Sequence, residues 1–390
     1  MQPIGRAVRF GAAALALLAG AVSHLAAQGI TSAAVTGRVS SETRGTVENA
    51  IVALINTSTG ARLQTTTSTA GRFNFENVTP GGPFTIEVRA IGFQLASKTG
   101  VMLALGQRYV QDFVLKQQIV TLEELTVVAA TNPLINAGRT GAAQTVTDTT
   151  IQRYPLLGRN FTDLIRTSPQ VVNGTGIAGQ NSRFNTILID GGVNNDIFGL
   201  SSSGTPGGTA GAKPLSVEAL QEFQILSAPF DIRQGSFSGG LINGVTKSGT
   251  NRFHGSAFGY LQRPELVGKD TAGIRVGTFS IKQYGGTLGG PIIKNKLLFF
   301  GSADLQTSIT PFFGPEVSEP ATHVTLAQAN QIQEIVKTKY GFDPGGPTPP
   351  QNLNKPDKNF FGKMTWQAGG SSQMEVSYNY TRATQDVFNR

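Results

Sequence analysis

The sequence has no cysteine, and only 14% of its 390 residues are charged. Without cysteine there is no disulfide framework, no thiolate zinc site and no cysteine to carry a lipid anchor. The formal charge of +8 becomes +6 if Arg6 and Arg9 leave with a leader segment, and no later window holds a dense basic cluster. Nucleic acid is therefore a poor partner for this chain, and no cofactor is expected.

Long hydrophobic runs are lacking too. An apolar stretch from Phe10 to Val22 follows Arg6 and Arg9, and the small residues Ala26 and Ala27 come after it. This order is typical of a secretory signal, and the stretch is shorter than the roughly 20 residues of a spanning helix. We predict a signal peptide over residues 1–27; the alternative is a buried helix of a cytosolic domain. A mature chain that enters a membrane must then do so as strands.

Glycine is abundant, with 48 residues. So much glycine and so little charge do not fit an ordinary helical enzyme and favour a mostly β, extracytoplasmic protein. The length predicts two or three domains.

Residues 30–117 read as short β-segments separated by turns. In one of them Phe84, Ile86 and Val88 alternate with polar neighbours, the half-buried pattern of a sandwich. Seven strands are predicted, at residues 33–39, 50–56, 61–67, 72–75, 84–90, 93–101 and 109–115.

The letters VTGRV, NAIVAL, AGRFNFENVTPGGPFTIEV and DFVLK in this region resemble the carboxypeptidase regulatory-like domain. The resemblance implies a transthyretin-like β-sandwich with a carbohydrate-binding-like fold. Ala70 stands before Gly71 where the family often has Asp. Two roles stay open for this domain, a structural spacer and a sugar-binding module.

A glycine-punctuated stretch, GGLINGVTKSGTNRFHG, occupies residues 239–255. It resembles the plug-to-barrel junction of TonB-dependent outer-membrane receptors, particularly the Oar-like branch. The resemblance implies an α+β plug domain over residues 140–248 and the first strands of a large antiparallel transmembrane β-barrel over residues 249–390. The residues assigned to the junction are Gly239, Gly240, Asn243, Lys247, Ser248 and Gly249.

Residues 118–139 form a connecting segment with TLEELTVVAATNP at its centre. Its β-prone run after an acidic lead could add a strand to the edge of another protein's sheet. In the resembled receptors this position holds the TonB box, which we place at Glu123, Glu124, Leu125, Thr126, Val127, Val128 and Ala129. A plain linker and a first plug strand are the alternatives.

Within the plug region, the segment from Arg159 to Val171 predicts a helix that presents Phe161, Leu164 and Ile165 on one face. Asn185 to Asp190 predicts a strand that enters a glycine turn. Residues 201–213, SSSGTPGGTAGAK, are low in complexity and predict a solvated loop.

After residue 249 the pattern changes. Gly255, Ala257, Gly259 and Leu261 alternate with more polar residues, the weak two-residue period of a membrane barrel. The letters GGTLGGPIIKNKLLFFGS resemble the first periplasmic hairpin of Oar-like barrels, which would place residues 298–300 near the membrane interface; these aromatics could equally be the core of a soluble sandwich. About five strands are present where a plugged barrel has about 22, so we expect an incomplete barrel from a truncated chain.

The function implied by the resemblance is uptake of an extracellular ligand across a Gram-negative outer membrane, driven through TonB. The expected partners are TonB, outer-membrane lipid and an unidentified ligand, with carbohydrate and peptide as candidates. The sandwich and the TonB box would lie in the periplasm. The alternative is a secreted or surface-attached β-rich binding or adhesion protein that recognises its target through the sandwich.

An enzyme ranks behind both alternatives, because no acid–base pair, nucleophile group or metal cluster emerges from the sequence. Gly174, Gly176 and Gly179 match the spelling of a dinucleotide loop, but the residues that follow lead into a strand and do not open an apolar helix.

Overall fold

The computed structural model describes residues 31–42, 45–117, 142–154, 156, 158–172, 176–201, 203–228, 238–269, 279–311, 324–344, 352–369 and 372–386. The chain divides into two compact units. The first comprises residues 1–155, 164–195 and 220–246, and the second comprises residues 156–163, 196–219 and 247–390. The predicted signal peptide lies outside the described residues.

The first unit begins with a β-sandwich of two sheets. Its nine strands are β1 (Ala33–Ser41), β2 (Gly45–Thr46), β3 (Ile51–Asn56), β4 (Arg62–Thr66), β5 (Arg72–Val78), β6 (Gly81–Arg89), β7 (Ala96–Leu103), β8 (Arg108–Val110) and β9 (Phe113–Leu115). One sheet has the order β4-β3-β6-β7, and in the other β1 pairs with β2, β5, β8 and β9.

The core of the sandwich lies between the inward faces of the two sheets. On β6, Phe84, Ile86 and Val88 are buried while Arg89 is exposed, as the sequence alternation predicts. They pack in one cluster with Phe73 and Leu54 from the neighbouring strands. Burial of these side chains is the main stabilisation of the domain.

The last predicted strand, residues 109–115, is two strands in the structure. The backbone N–H of Arg38 donates to the carboxylate of Asp112 at 2.7 Å, and this side-chain bond lies between β8 and β9. Because a side chain here replaces a backbone acceptor, the ladder along β1 is interrupted.

A further sheet of the first unit, outside the sandwich, has the order β10-β15-β16-β13-β14. Its strands are β10 (Ala142–Thr147), β13 (Thr186–Ile189), β14 (Gly192–Val193), β15 (Leu220–Ala228) and β16 (Leu241–Thr246), and a separate hairpin holds β11 (Val171–Val172) and β12 (Gly176–Ile177). All six residues of β16 are buried, because this strand is central in the sheet. The carboxylate of Asp190 accepts from the N–H and hydroxyl of Thr246 and so joins the ends of β13 and β16.

The alternation of Phe223 and Ile225 with Glu222 and Gln224 predicts a half-buried strand, and β15 differs from this prediction. Glu222 and Gln224 are as buried as Phe223 and Ile225, so both faces of the strand are covered. The residues 217–219 before it form a 3-10 turn.

Helices in this region are short: α1 is Asp148–Arg153 and α2 is Phe161–Ile165. The helix predicted over residues 159–171 therefore ends early, and turns at Thr167 and Ser168 follow it. Leu164 and Ile165 are fully buried.

The second unit contains an antiparallel five-stranded meander, β17-β18-β19-β20-β21. The strands are β17 (His254–Gln262), β18 (Ser280–Ile293), β19 (Leu297–Pro311), β20 (Asn352–Gly369) and β21 (Ser372–Ala383). Connections at one end are short, such as residues 294–296 between β18 and β19, and those at the other end are long. Short turns on one side and long loops on the other are typical of outer-membrane barrels.

One long connection, between β19 and β20, carries the helix α3 (Leu326–Tyr340). A capping box between Thr325 and Gln328 begins the helix, and Gly341 in the left-handed conformation ends it. None of the described helices combines the length and the apolar composition that membrane crossing would require.

The core of the sandwich can be tested with two leucines. Leu54→Ala removes a side chain that is 1% exposed and should lower the free energy of unfolding of the sandwich by about 2–5 kcal/mol. Leu95→Ala makes the same chemical change at a residue that is 56% exposed and should cost less than about 0.5 kcal/mol. Native-state hydrogen exchange of β3 and β6 measures both values, and equal costs would contradict this core.

Candidate functional site

The two faces of the β17–β21 sheet differ in the polarity and burial of their side chains. On β20, Asn359, Lys363 and Thr365 are buried on one face, while Met364 and Trp366 are exposed on the other. The strand register continues this division across the sheet. The buried polar residues are Gln283, Ser302, Asp304, Ser308, Asp357, Asn359, Lys363 and Thr365; the exposed apolar residues are Tyr284, Leu288, Phe360, Met364, Trp366, Met374, Val376, Tyr378 and Tyr380.

This arrangement is the reverse of a water-soluble sheet, which buries its apolar face. Val376 is 65% exposed and Tyr378 is 71% exposed, and they belong to a continuous apolar surface. Soluble proteins rarely leave so large a patch uncovered. Strands that alternate apolar outward and polar inward are those of a membrane barrel. A two-residue alternation of buried and exposed side chains is present on β20. The inward face also buries Leu298, Phe300 and Phe361, so these apolar residues pack inside and do not belong to the exposed apolar surface.

The segment 211–219 lies against the polar face, and Asp304 is the centre of its attachment. One Asp304 oxygen accepts from the Ser216 hydroxyl at 2.8 Å, and both accept from the Gln283 amide at 2.9 Å. Asp304 and Ser216 are 3% and 1% exposed. A carboxylate buried to this extent is stable only when it is hydrogen-bonded or paired.

Backbone carbonyls of the same segment are bound by side chains of β20 and β21. The Asn379 amide donates to the carbonyl of Pro214 at 2.6 Å, and the Thr381 hydroxyl donates to the carbonyl of Lys213 at 3.3 Å. Asn359 donates to the carbonyl of Lys213 and accepts from the backbone N–H of Ser216. Residues 211–219 form no strand of their own, and side chains of β20 and β21 supply hydrogen bonds to their buried backbone groups.

Lys213 is a buried cation at this attachment. Its side chain is 3% exposed, and its Nζ has no hydrogen-bond partner among the described residues. Burial lowers the pKa of Lys213 from its ordinary value, and the nearby carboxylates of Asp304 and Asp357 act in the opposite direction.

A second contact of the unit involves Arg159, which precedes α2. Its guanidinium pairs with Glu218 and lies 4.1 Å from the ring centroid of Tyr260 on β17. Arg159 and Tyr260 line a groove together with Gln262 and Gln283. Arg159 thus joins Glu218 of the 211–219 segment to Tyr260 of the sheet.

The residues assigned to the junction are divided between the two units of the structure. Gly240 packs so closely in the first unit that an added Cβ would lie 2.5 Å from Ile177, and its N–H donates to Asn185 at 3.0 Å. Gly239 donates to the carbonyl of Phe184, and Asn243 is fully buried in β16.

In the second unit the Lys247 N–H donates to the carbonyl of Ala219 at 2.8 Å. Ser248 follows it, and Gly249 lies directly against the backbone of Phe299, where an added Cβ would be 2.3 Å from the carbonyl oxygen. Their role as a junction stays a prediction, although Gly240 and Gly249 are positions that only glycine fits.

The predicted TonB box, residues 123–129, lies outside the described residues. Among the residues that are described, no group of three acidic or histidine side chains could hold a metal ion.

Sequence reasoning missed the attachment residues Lys213, Ser216, Asp304 and Asn359. It treated residues 201–213 as a solvated loop, whereas Ser201, Thr205 and Lys213 are buried. The alternation of β19 and β20 was the available signal, since Asp304 and Asn359 fall on the same face of adjacent strands.

Comparison with known proteins agrees with this geometry. Residues 34–116 match the model of the carboxypeptidase regulatory-like domain, and residues 245–311 match that of the outer membrane beta barrel domain. The chain is 29% identical over 241 residues to the TonB-dependent transporter Oar of Myxococcus xanthus. The chain is similar to Oar-like TonB-dependent receptors. The aligned region includes 57% of this chain and 22% of Oar, so the chain spans only part of its relative's length.

Two solved structures similar to part of this chain are outer-membrane proteins. The siderophore receptor PirA from Acinetobacter baumannii is 17% identical, with a TM-score of 0.42 over 62% of this chain and 32% of PirA. The outer membrane transporter YddB from Escherichia coli is 16% identical, with a TM-score of 0.43 over 63% of this chain and 33% of YddB.

The attachment through Asp304 can be tested with Ser216→Ala. The change removes a buried hydrogen bond to a charged group and should lower the free energy of local opening of residues 211–219 by about 1.5–3 kcal/mol. Hydrogen exchange of the Ala219 amide, which donates to the carbonyl of Ser216, measures it. Ser256→Ala is the control, because the exposed Ser256 hydroxyl bonds to Thr287 on the neighbouring strand β18. It should change the opening free energy at Ala219 by less than about 0.5 kcal/mol. If Ser216→Ala leaves the exchange rate of the Ala219 amide unchanged, the attachment is contradicted.

Gly249 can be compared with Gly259. Gly249→Ala forces a methyl group onto the Phe299 backbone and should destabilise the β17–β21 sheet by about 1–3 kcal/mol. Gly259→Ala meets nothing within 4 Å and should be neutral or slightly stabilising. Denaturant unfolding of the receptor in detergent measures both variants. If both variants lose the same unfolding free energy, the close contact between Gly249 and Phe299 is not the reason for glycine at this position.

Proposed function

We propose that this chain carries the plug and the first wall strands of an outer-membrane active transporter. The observation that carries the proposal is the opposite polarity of the two faces of the β17–β21 sheet, with residues 211–219 hydrogen-bonded to the polar face. A wall strand in a bilayer needs an apolar outer face, and a plugged lumen needs polar partners on the inner face. The Oar relative is named a TonB-dependent transporter, which supports the same function.

The proposed mechanism is movement of the plug by TonB. A ligand of unidentified chemistry, carbohydrate or peptide among the candidates, binds from outside, and the box at residues 123–129 becomes available to TonB in the periplasm. TonB pairs with the box as an added strand and transmits force from the inner membrane. The attachment of residues 211–219 consists of many separate hydrogen bonds, so it can break stepwise as the plug moves.

We assign the domains accordingly. Residues 30–117 form the sandwich, residues 118–139 carry the box, residues 140–248 form the plug and residues 249–390 begin the barrel. The sandwich and the box lie in the periplasm, and the long connections that follow β17 and β19 face the exterior. No step of this mechanism makes or breaks a covalent bond, in keeping with relatives that are named as transporters and receptors.

Localisation separates this function from the alternative of a secreted binding protein. When the full-length protein is produced in a Gram-negative host, it should sediment with the outer membrane and resist carbonate extraction, because its wall strands are held by lipid. Recovery in the soluble periplasm or in the culture medium would favour the secreted binding protein instead.

The box can be tested with a single proline. Val127→Pro removes a backbone donor that strand addition needs and should abolish crosslinking to TonB. Val127→Ala keeps that donor and is the matched control, which should crosslink nearly as well as the unchanged protein. Undiminished crosslinking of Val127→Pro would place the contact with TonB elsewhere.

A further inference from the structure

We propose that the sandwich is clamped to the β10–β16 sheet of the plug through Glu222, so that the two domains move as one body. Both elements belong to the first unit of the structure. The role of the clamp in transport rests on the proposed function, whereas the clamp itself does not.

The clamp is a carboxylate that accepts a backbone N–H from the other domain. Both oxygens of Glu222 on β15 lie 3.0 Å from the backbone nitrogen of Leu105, in the turn between β7 and β8. Glu222 is 4% exposed and Leu105 is 1% exposed. A buried carboxylate is costly without hydrogen bonds, and the Leu105 N–H supplies one of them from the sandwich.

The turn that presents the Leu105 N–H is itself fixed. The Gln107 side chain accepts from the backbone N–H of Ala104 at 2.7 Å, and the Gln107 N–H donates to the carbonyl of Ala104 at 3.0 Å. These bonds occupy the neighbouring polar groups of the turn and leave the Leu105 N–H directed at the plug. The donor is therefore held in place before docking.

Two further contacts join the same end of the sandwich to the plug. The Gln221 amide donates to the carbonyl of Pro80 at 3.2 Å. Gly191, in the β13–β14 turn, approaches so closely that an added Cβ would lie 2.8 Å from the methyl group of Thr31. Gly81 pairs with Leu103 beside the clamp turn, so the three contacts form one surface.

The position of Glu222 connects this surface with the strand that follows the box. Glu222 pairs with Thr147 of β10, the edge strand of the plug sheet. With the clamp closed, a pull on β10 also loads the clamp, because the two meet at Glu222. With the clamp open, only β10 and its pairing with β15 would bear the load.

The test is residue-level hydrogen exchange of the full chain in detergent. In the unchanged protein the Leu105 amide should exchange at least a hundredfold more slowly than in an unstructured peptide. Glu222→Ala removes its acceptor and should accelerate it at least tenfold, while amides of β3 and β6 within the sandwich keep their rates. Glu222→Gln keeps an acceptor oxygen and should accelerate it less.

Gln224→Ala is the matched control. Gln224 lies on the same strand with nearly the same burial, 5% exposed, but its amide donates to Thr145 of the plug. Its replacement should leave Leu105 unchanged. If Glu222→Ala does not fold, Gln221→Ala removes the neighbouring contact at a half-buried position and should accelerate Leu105 exchange as well.

A Leu105 amide that exchanges freely in the unchanged protein, or that ignores both the Glu222 and Gln221 variants, would overturn the clamp. Failure of the proposed function looks different. A protein that never binds the periplasmic domain of TonB but keeps the Leu105 amide protected would retain the clamp and lose the transport role.

Discussion

The solvent on each side of the β17–β21 sheet decides what every strand residue must be. Hydrocarbon offers no hydrogen bonds, so backbone groups must pair within the sheet and outward side chains must be apolar. The inner side has to hold polar groups, because it faces the plug segment 211–219. One alternation of buried and exposed side chains runs through β20 from Asn359 to Trp366, with Phe361 as an apolar residue on the inner face.

The same constraint explains why the inner wall is crowded with amides and carboxylates. Residues 211–219 form no ladder of their own, and their carbonyls are bound by Asn359, Asn379 and Thr381. Apolar wall residues would leave those carbonyls unsatisfied at a cost of about 1–3 kcal/mol each. Side-chain hydrogen bonds give residues 211–219 an attachment of defined geometry that can open one bond at a time. A continuous apolar interface would have to separate all at once.

Buried charge recurs at two attachments, one within each unit. Asp304 lies near Lys213 in the second unit, and Glu222 accepts from Leu105 in the first. Loss of a buried ion's partner is costly, so each charge favours a defined geometry. The charges thereby hold residues 211–219 on the inner face of the β17–β21 sheet and, through the proposed clamp, β15 on the sandwich.

The sequence was informative where a local period reports the environment. The alternation at Phe84, Ile86 and Val88 and the period after Gly255 predicted the sandwich and the wall, because burial on one face leaves a pattern in neighbouring residues. It was uninformative for residues 201–213, whose small polar letters look like a solvated loop. Their partners lie far away in the chain, as with Lys213 and Thr381, which are 168 residues apart. The alternation also failed to predict the burial of Glu222, because its partner Leu105 lies 117 residues earlier in the chain.

The central claim is that lipid, and not water, covers the exposed face of the sheet. Because this chain has no cysteine, single cysteines along β21 can be spin-labelled one at a time in the receptor reconstituted into vesicles. Labels at Met374, Val376, Tyr378 and Tyr380 should collide with lipid-dissolved oxygen, and labels at Gln373, Glu375 and Ser377 should collide with a water-soluble nickel chelate. A strict two-residue alternation is the predicted result. Equal access of the chelate to both sets would contradict the account.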